Sequence, residues 1–383
     1  MAEMLPFFIV LFAGVFFSGL FKRLHLPWVV ALLLGGIIIG PHGLELFEIN
    51  NTIKFIGQIG LIFLMFMAGL ETSLSSFSHF KAKLGFLSFI NAFIPALIGV
   101  LIGFYFGYGL SSSLLLGIIF VSSSIAVVIP SLESSGLIYR PLGKYIVMTT
   151  VFQDIASLVL LSLFLQSIDP VTSLPLPIFY LILFVFLFFL RWLLPKIRWF
   201  LSITNDEDDK KLFQRELRVV LAILIGTVIG FELLGLHPIV AAFFVGLVLS
   251  DSLKSEVLLE KIKTLSYGIF IPTFFIVVGA ETNLFVLTES KEVLYIVAAV
   301  VVGSLIAKYL SGYFGAKIVG FNKLESKLFA VSSMPQLSTT LAVVFTGVEF
   351  GFLDEKIMTA MIILSVVSTV VAPVLMNKYI GKV

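Results

Sequence analysis

The sequence predicts an all-α polytopic membrane protein with about 13 transmembrane helices. Three observations carry that reading. Of the 383 residues, 59% are hydrophobic and only 13% are charged, against roughly a quarter charged in soluble domains. Apolar windows approaching the ~20 residues needed to cross a bilayer recur along the whole chain. The Lys and Arg residues between those windows fall mostly into alternate loops.

In chain order the windows run over 5–20, 27–40, 53–71, 84–107, 112–134, 141–167, 176–200, 216–233, 237–251, 258–281, 292–319, 325–347 and 355–379. The first follows Glu3 with no Lys or Arg before it, so it lacks the basic region of a cleaved signal peptide and counts as a span. The window at 112–134 contains three consecutive serines and Pro130, and the window at 325–347 contains Pro335 among Ser, Thr and Gln. Proline removes a donor and hydroxyls re-satisfy the backbone, so both read as broken helices. The 40 phenylalanines suit surfaces facing membrane lipid and packing between spans.

Loop charge gives the orientation. With the N-terminus outside and the C-terminus inside, 21 of the 25 basic residues fall on the cytoplasmic side. Lys54, Lys291 and Lys356 fall outside, and Lys308 lies within a span. The expected location is the cell membrane, multi-pass.

The chain repeats itself. "PWVVALLLG" (27–35) resembles "PIVAAFFVG" (238–246), "GLETSL" (69–74) resembles "GAETNL" (279–284), and "VSS" occurs at 121–123 and 331–333. The offset is 210 or 211 throughout. Two five-helix repeats follow, at about 27–167 and 237–379, inverted because they enter the membrane from opposite sides. Inverted repeats with discontinuous helices characterise transporters. A polar linker at 201–215 separates them, inside one transmembrane transporter domain spanning 1–383.

The charges inside the spans point to chemistry. Asp154 sits at the middle of "TTVFQDIASLVLLSLF" (149–164), about 20 Å from either end of its span and too far to snorkel. An Asp at a helix centre costs about 2.5–3.5 kcal/mol on insertion and marks an ion or proton pathway by default. Lys308, the only basic residue at membrane depth, is the expected salt-bridge partner or competing cation. A carboxylate there is tolerable when a Lys, a bound cation or a proton neutralises it, and those three compete for one group. Ser123 and Ser124 are candidate ion-site residues. Ser122, Ser332, Ser333 and Gln336 are candidate polar lining of the crossing helices.

Other chemistry is excluded or weak. The chain has no cysteine, so disulfides, thiol catalysis and Cys-based metal sites are ruled out. His25, His42, His79 and His237 lie at span ends or in loops, so no resident metal is expected. No phosphate-binding or dinucleotide motif appears, and no cofactor, enzyme activity or nucleic-acid partner is expected. Gly36 and Gly40 form a GxxxG spacing, read as close helix packing. A cation channel and an organic-anion carrier on the same scaffold stay as alternatives.

The chain resembles the monovalent cation:proton antiporters, the group that includes Kef-type potassium/proton and NapA-like sodium/proton transporters. The resemblance rests on "LPWVVALLLGGIIIGP" (26–41), "IGLIFLMFMAGLET" (59–72), "FQDIA" (152–156), "GLHPIVAAFFVGLVLSDS" (235–252), "IPTFFIVVGAETNL" (271–284) and Lys308. It implies an NhaA/NapA-like fold, a homodimer and elevator-type alternating access. By this resemblance Asp154 binds cation and proton, and Gln153 is an ion-site or cavity-lining residue that gives the Gln-Asp pair typical of Kef-type proteins, which favours K⁺ over Na⁺. The family's Gly-Glu in the penultimate span is replaced here by Gln336-Leu337-Ser338. The C-terminal nucleotide-binding domain of Kef proteins is not found before Val383, so the expectation is that regulation is absent, that a separate cytoplasmic subunit supplies it, or that the sequence is a piece of a longer chain.

Overall fold

The computed structural model describes residues 4–22, 27–72, 82–133, 135–168, 209–233, 237–250 and 256–381, together with positions 178, 181, 185, 188 and 192. Among these residues the architecture is all-helical. In chain order the helices are α1 Met4–Lys22, α2 Trp28–Ile39, α3 Asn51–Glu71, α4 Ala82–Tyr105, α5 Leu110–Val121, α6 Ile125–Glu133, α7 Pro141–Ile168 and α8 Asp209–Leu233. They continue as α9 Pro238–Ser250, α10 Glu256–Leu265, α11 Ile271–Glu281, α12 Val286–Glu289, α13 Lys291–Val319, α14 Lys323–Ser332, α15 Ser338–Glu349 and α16 Glu355–Ile380.

Among the described residues seven stretches are long and apolar enough to cross a membrane: α3, α4, α5 with α6, α7, α10 through α12, α13 and α16. Three shorter apolar helices, Met4–Leu20, Trp28–Ile39 and Pro238–Ser250, accompany them. The expected span at 176–200 lies outside the described residues except at its five isolated positions, as do residues 201–208 of the linker expected at 201–215, whose remainder is helical. The span expected to start at 216 begins at Asp209 instead, because "DKKLFQRE" is rich in good helix formers despite its charge.

Local chemistry sets several ends. Asn322 and Glu325 form a reciprocal capping box at the start of α14, with both Asn322 contacts at 2.9 Å. Asp354 caps α16 by accepting from the Ile357 amide at 2.9 Å. Gly320 ends α13 at φ 108°, a left-handed conformation that glycine adopts without strain.

The chain forms two compact units, one of Met1–Lys54, His79–Leu161 and Phe275–Val383, the other of Phe55–Ser78 and Ser162–Phe274. In the first, α4 lies against α5 so closely that a Cβ on Gly99 would meet the Leu116 carbonyl at 2.8 Å, and one on Gly117 the Ala96 carbonyl at 2.8 Å. An apolar cluster of Leu87, Val128, Ile146, Leu328, Phe329 and Met376 ties α4, α6, α7, α14 and α16 together. Also in this unit, α2 meets α11: a Cβ on Gly36 would lie 2.1 Å from the Ile276 carbonyl oxygen, and one on Gly40 2.6 Å from Ala280 Cα. The GxxxG spacing does serve close packing.

In the second unit α3 meets α9 in the same manner. A Cβ on Gly246 would lie 2.1 Å from the Phe66 carbonyl oxygen, and one on Gly69 2.1 Å from that of Phe243. Adding 210 to Gly36 and Phe66 gives Gly246 and Ile276, so one contact reproduces the other with both partners displaced equally along the chain. Phe63 stacks on Phe270 at 4.7 Å, and the Tyr267 hydroxyl donates to Glu71 at 3.1 Å.

Candidate cation and proton site

Two interrupted helices form the frame. The first runs as α5, stops at Ser122–Ser124, and resumes as α6; the second runs as α14, stops at Ser333–Leu337, and resumes as α15. In the second, Pro335 lacks the N–H a helix needs and biases Met334 toward extended geometry, so the break falls where the sequence places it. In the first, the break falls at the serines and not at Pro130, which stays inside α6. Serine hydroxyls compete for nearby backbone groups: the Ser122 Oγ donates to the Ile119 carbonyl at 3.0 Å while its backbone turns to ψ 156°.

The breaks meet. The Ser123 hydroxyl lies 3.4 Å from the carbonyl oxygens of both Ser333 and Pro335, and the Ser122 hydroxyl pairs with that of Thr340. Gln336 spans the same junction, with its Nε2 donating to the Phe120 carbonyl at 3.3 Å and its amide to the Ser368 hydroxyl at 3.1 Å. Ser333 Oγ lies within hydrogen-bonding distance of the carbonyls of Lys308 and Ala330. Ser332 instead turns back on its own helix, donating to Leu328 at 2.8 Å.

Asp154 stands beside this crossing on α7 and is 5% exposed. Thr339 and the Ser123 backbone lie beside its carboxylate, and Lys308 acts on it through space. Its Oδ1 has no hydrogen-bond partner. Ser124 Oγ, Gln153 Oε1 and Gln336 Oε1 are also buried and unpaired. Unpaired buried oxygens are costly unless something else uses them, and hard oxygen donors of this kind suit a monovalent cation or a proton.

Lys308 is wholly buried on α13. Its hydrogen bond goes to the Val121 carbonyl at 2.7 Å. Val121 is the last residue of α5, where the unsatisfied carbonyls carry the negative end of the helix dipole. The ammonium thus caps a half-helix and acts on Asp154 from there. Gln153 reaches the other way, donating from Nε2 to the Asn91 carbonyl on α4 at 2.8 Å.

The sequence did not single out Thr339, Thr340, Asn91, Ser311 or Ser368. Each is an uncharged residue in an apolar helix, and only the position of a partner far along the chain gives it a role. Among the described residues no cluster of three His, Cys, Asp or Glu could hold a metal ion.

The family profile described as sodium/hydrogen exchanger, transmembrane, matches residues 7–377. The chain belongs to the sodium/hydrogen exchanger family. A Methanocaldococcus jannaschii protein named probable Na⁺/H⁺ antiporter 3 is 31% identical over 376 residues, covering 97% of this chain and 95% of the relative. The Bacillus cereus Na⁺/H⁺-K⁺ antiporter GerN is 24% identical, covering 94% of this chain and 91% of its own. Among solved structures, the sodium proton antiporter MjNhaP1 from M. jannaschii superposes with a TM-score of 0.67 at 19% identity, over 100% of this chain and 98% of that one. That likeness shows an exchanger-type fold: the chain is an all-α multi-pass membrane protein of this family.

Proposed function

We propose that this exchanger is a secondary antiporter that moves a monovalent cation against H⁺ across the cell membrane, taking K⁺ in preference to Na⁺. One observation carries the reading: a single carboxylate, Asp154, is buried beside the crossing of two interrupted helices with one oxygen unpaired. Such a group must be neutralised, and a cation or a proton can do so only in turn. Cation binding expels the proton, and protonation expels the cation. With neutral Gln153 beside it, Asp154 carries one charge per cycle, so exchange is one-for-one and electroneutral.

Lys308 holds the crossing in place from Val121 and competes electrostatically for Asp154. The names of the similar proteins, Na⁺/H⁺ antiporter and Na⁺/H⁺-K⁺ antiporter, support the reaction class. The Gln153-Asp154 pair supports the K⁺ preference. In this reading the full architecture is thirteen spans in two inverted repeats, with the N-terminus outside, working as an elevator within a homodimer. The glycine contacts recurring at an offset of 210 support the repeat.

Purified protein in proteoliposomes loaded with a pH dye tests the proposal. Wild type should move protons on addition of K⁺ or Na⁺, at a rate insensitive to an imposed voltage, and Asp154→Asn should be inactive. Voltage-dependent rates would refute electroneutrality, and full activity in Asp154→Asn would refute the site. Conduction without stoichiometric proton movement would mean a channel, and proton flux only with an organic anion would mean a different cargo.

A further inference from the structure

The residue beside the carboxylate is held by a bond whose origin lies on another helix. Gln153 Nε2 donates to the backbone carbonyl of Asn91 at 2.8 Å. Asn91 is in the middle of α4, where a carbonyl is normally occupied by the amide four residues later. Four residues later stands Pro95, buried inside the same helix and without an N–H. The Asn91 carbonyl is therefore orphaned by Pro95, and Gln153 supplies the donor that the helix cannot.

This also fixes which way the Gln153 amide faces. A backbone carbonyl only accepts, so the nitrogen must point to α4 and the oxygen away from it. That oxygen is buried and unpaired. The Asn91 side chain is held in turn, its Oδ1 accepting from the Ser311 hydroxyl at 2.7 Å, and Ser311 Oγ lies 3.1 Å from the Lys308 carbonyl. Helices α4, α7 and α13 are so joined at one level, next to both intramembrane charges.

We propose that Pro95 is a positioning residue for cation binding: by freeing the Asn91 carbonyl it anchors Gln153 through nitrogen and presents Gln153 Oε1 as a ligand to the cation at Asp154. This rests on the antiport reading above. Replacing Pro95 with Ala restores the missing N–H, which competes for the Asn91 carbonyl. Gln153 then loses its anchor while Asp154, Lys308 and both helix breaks keep their own residues.

The test measures half-saturating K⁺ and Na⁺ and the maximal exchange rate in proteoliposomes for wild type, Pro95→Ala, Gln153→Ala and the double variant. Pro95→Ala is expected to raise the half-saturating cation concentration about 3- to 10-fold, the equivalent of one hydrogen bond, with the maximal rate within about twofold. The double variant should match Gln153→Ala alone, because both act through one group. An unchanged half-saturation in Pro95→Ala, or an effect that multiplies in full with that of Gln153→Ala, overturns the proposal. If exchange is too slow to measure in a variant, thermal stabilisation of the detergent-purified protein by KCl and NaCl titration reads the same midpoints, and an unshifted midpoint in Pro95→Ala overturns it there. Failure of the antiport reading shows separately, as wild type that moves no protons against cation.

Discussion

The Lys308 Nζ lies 2.7 Å from the carbonyl oxygen of Val121, at the open C-terminal end of the half-helix α5. The same lysine acts on Asp154 through space, so one buried cation serves two negative groups: a backbone end that never changes charge and a carboxylate that does. The helix end keeps the ammonium in place whatever Asp154 is doing.

Lys308→Met tests this double duty. It leaves the Val121 carbonyl without a donor and Asp154 without a nearby positive charge, and should lower stability by about 1–3 kcal/mol. Thermal unfolding in detergent would show it. Combined with Asp154→Asn the loss should be smaller than the sum of the two, because removing one member of a buried charged set leaves the other uncompensated.

Glycine substitutions should divide sharply by position. Gly36→Ala and Gly246→Ala each place a methyl 2.1 Å from a backbone carbonyl and should destabilise by about 1–3 kcal/mol or more. Gly226→Ala and Gly230→Ala in α8 meet nothing within 4 Å and should stabilise by about 0.5–1 kcal/mol through helix propensity alone. Melting temperatures of the four variants measure the contrast.

The Tyr108 hydroxyl donates to Asp354 at 3.0 Å in the turn between α4 and α5, while Asp354 caps α16. Tyr108→Phe should cost about 1 kcal/mol and Asp354→Ala more, about 1–2 kcal/mol, since it also removes the cap. Burial, and then the Asp354 carboxylate, push the Tyr108 phenol above its ordinary value. A raised folded value means that this contribution is complete below the ordinary phenol range and is lost only as pH rises through the folded value. The gap between wild type and Tyr108→Phe should therefore stay constant from about pH 6 to 9 in thermal melts.

The crossing itself predicts a graded series. Ser123→Ala removes a hydroxyl that faces two carbonyls across the junction, yet leaves the Ser123 backbone beside Asp154. Thr339→Val removes a hydroxyl that lies beside the carboxylate itself. Thr339→Val should therefore reduce exchange more than Ser123→Ala, by about 10-fold against about 3-fold, in the dye assay.

Much of this was legible in the sequence because charge and proline are loud in an apolar chain. Asp154 and Lys308 stood out as lone charges, and Pro335 marked the second interruption. The first interruption was legible only as a region: Pro130 suggested a site for it, but the helix tolerates that proline in α6 and yields at Ser122–Ser124, where hydroxyls offer the backbone an alternative. Thr339 and Asn91 were silent because their partners lie far away in the chain. Pro95 was visible, but nothing near it in sequence says that Gln153 receives the carbonyl it frees. The early start of α8 was hidden by its charges, which look like a linker and fold as helix.

The contacts between α2 and α11 carry a mechanical consequence. Where Gly36 and Gly279 bring backbone against backbone, no side chains stand between the helices to change rotamer and absorb a slide. Two helices joined that way behave as one stiff beam. Any stroke involving this beam is taken up at its ends, in the turns after Gly40 and after Glu281, and not along its length.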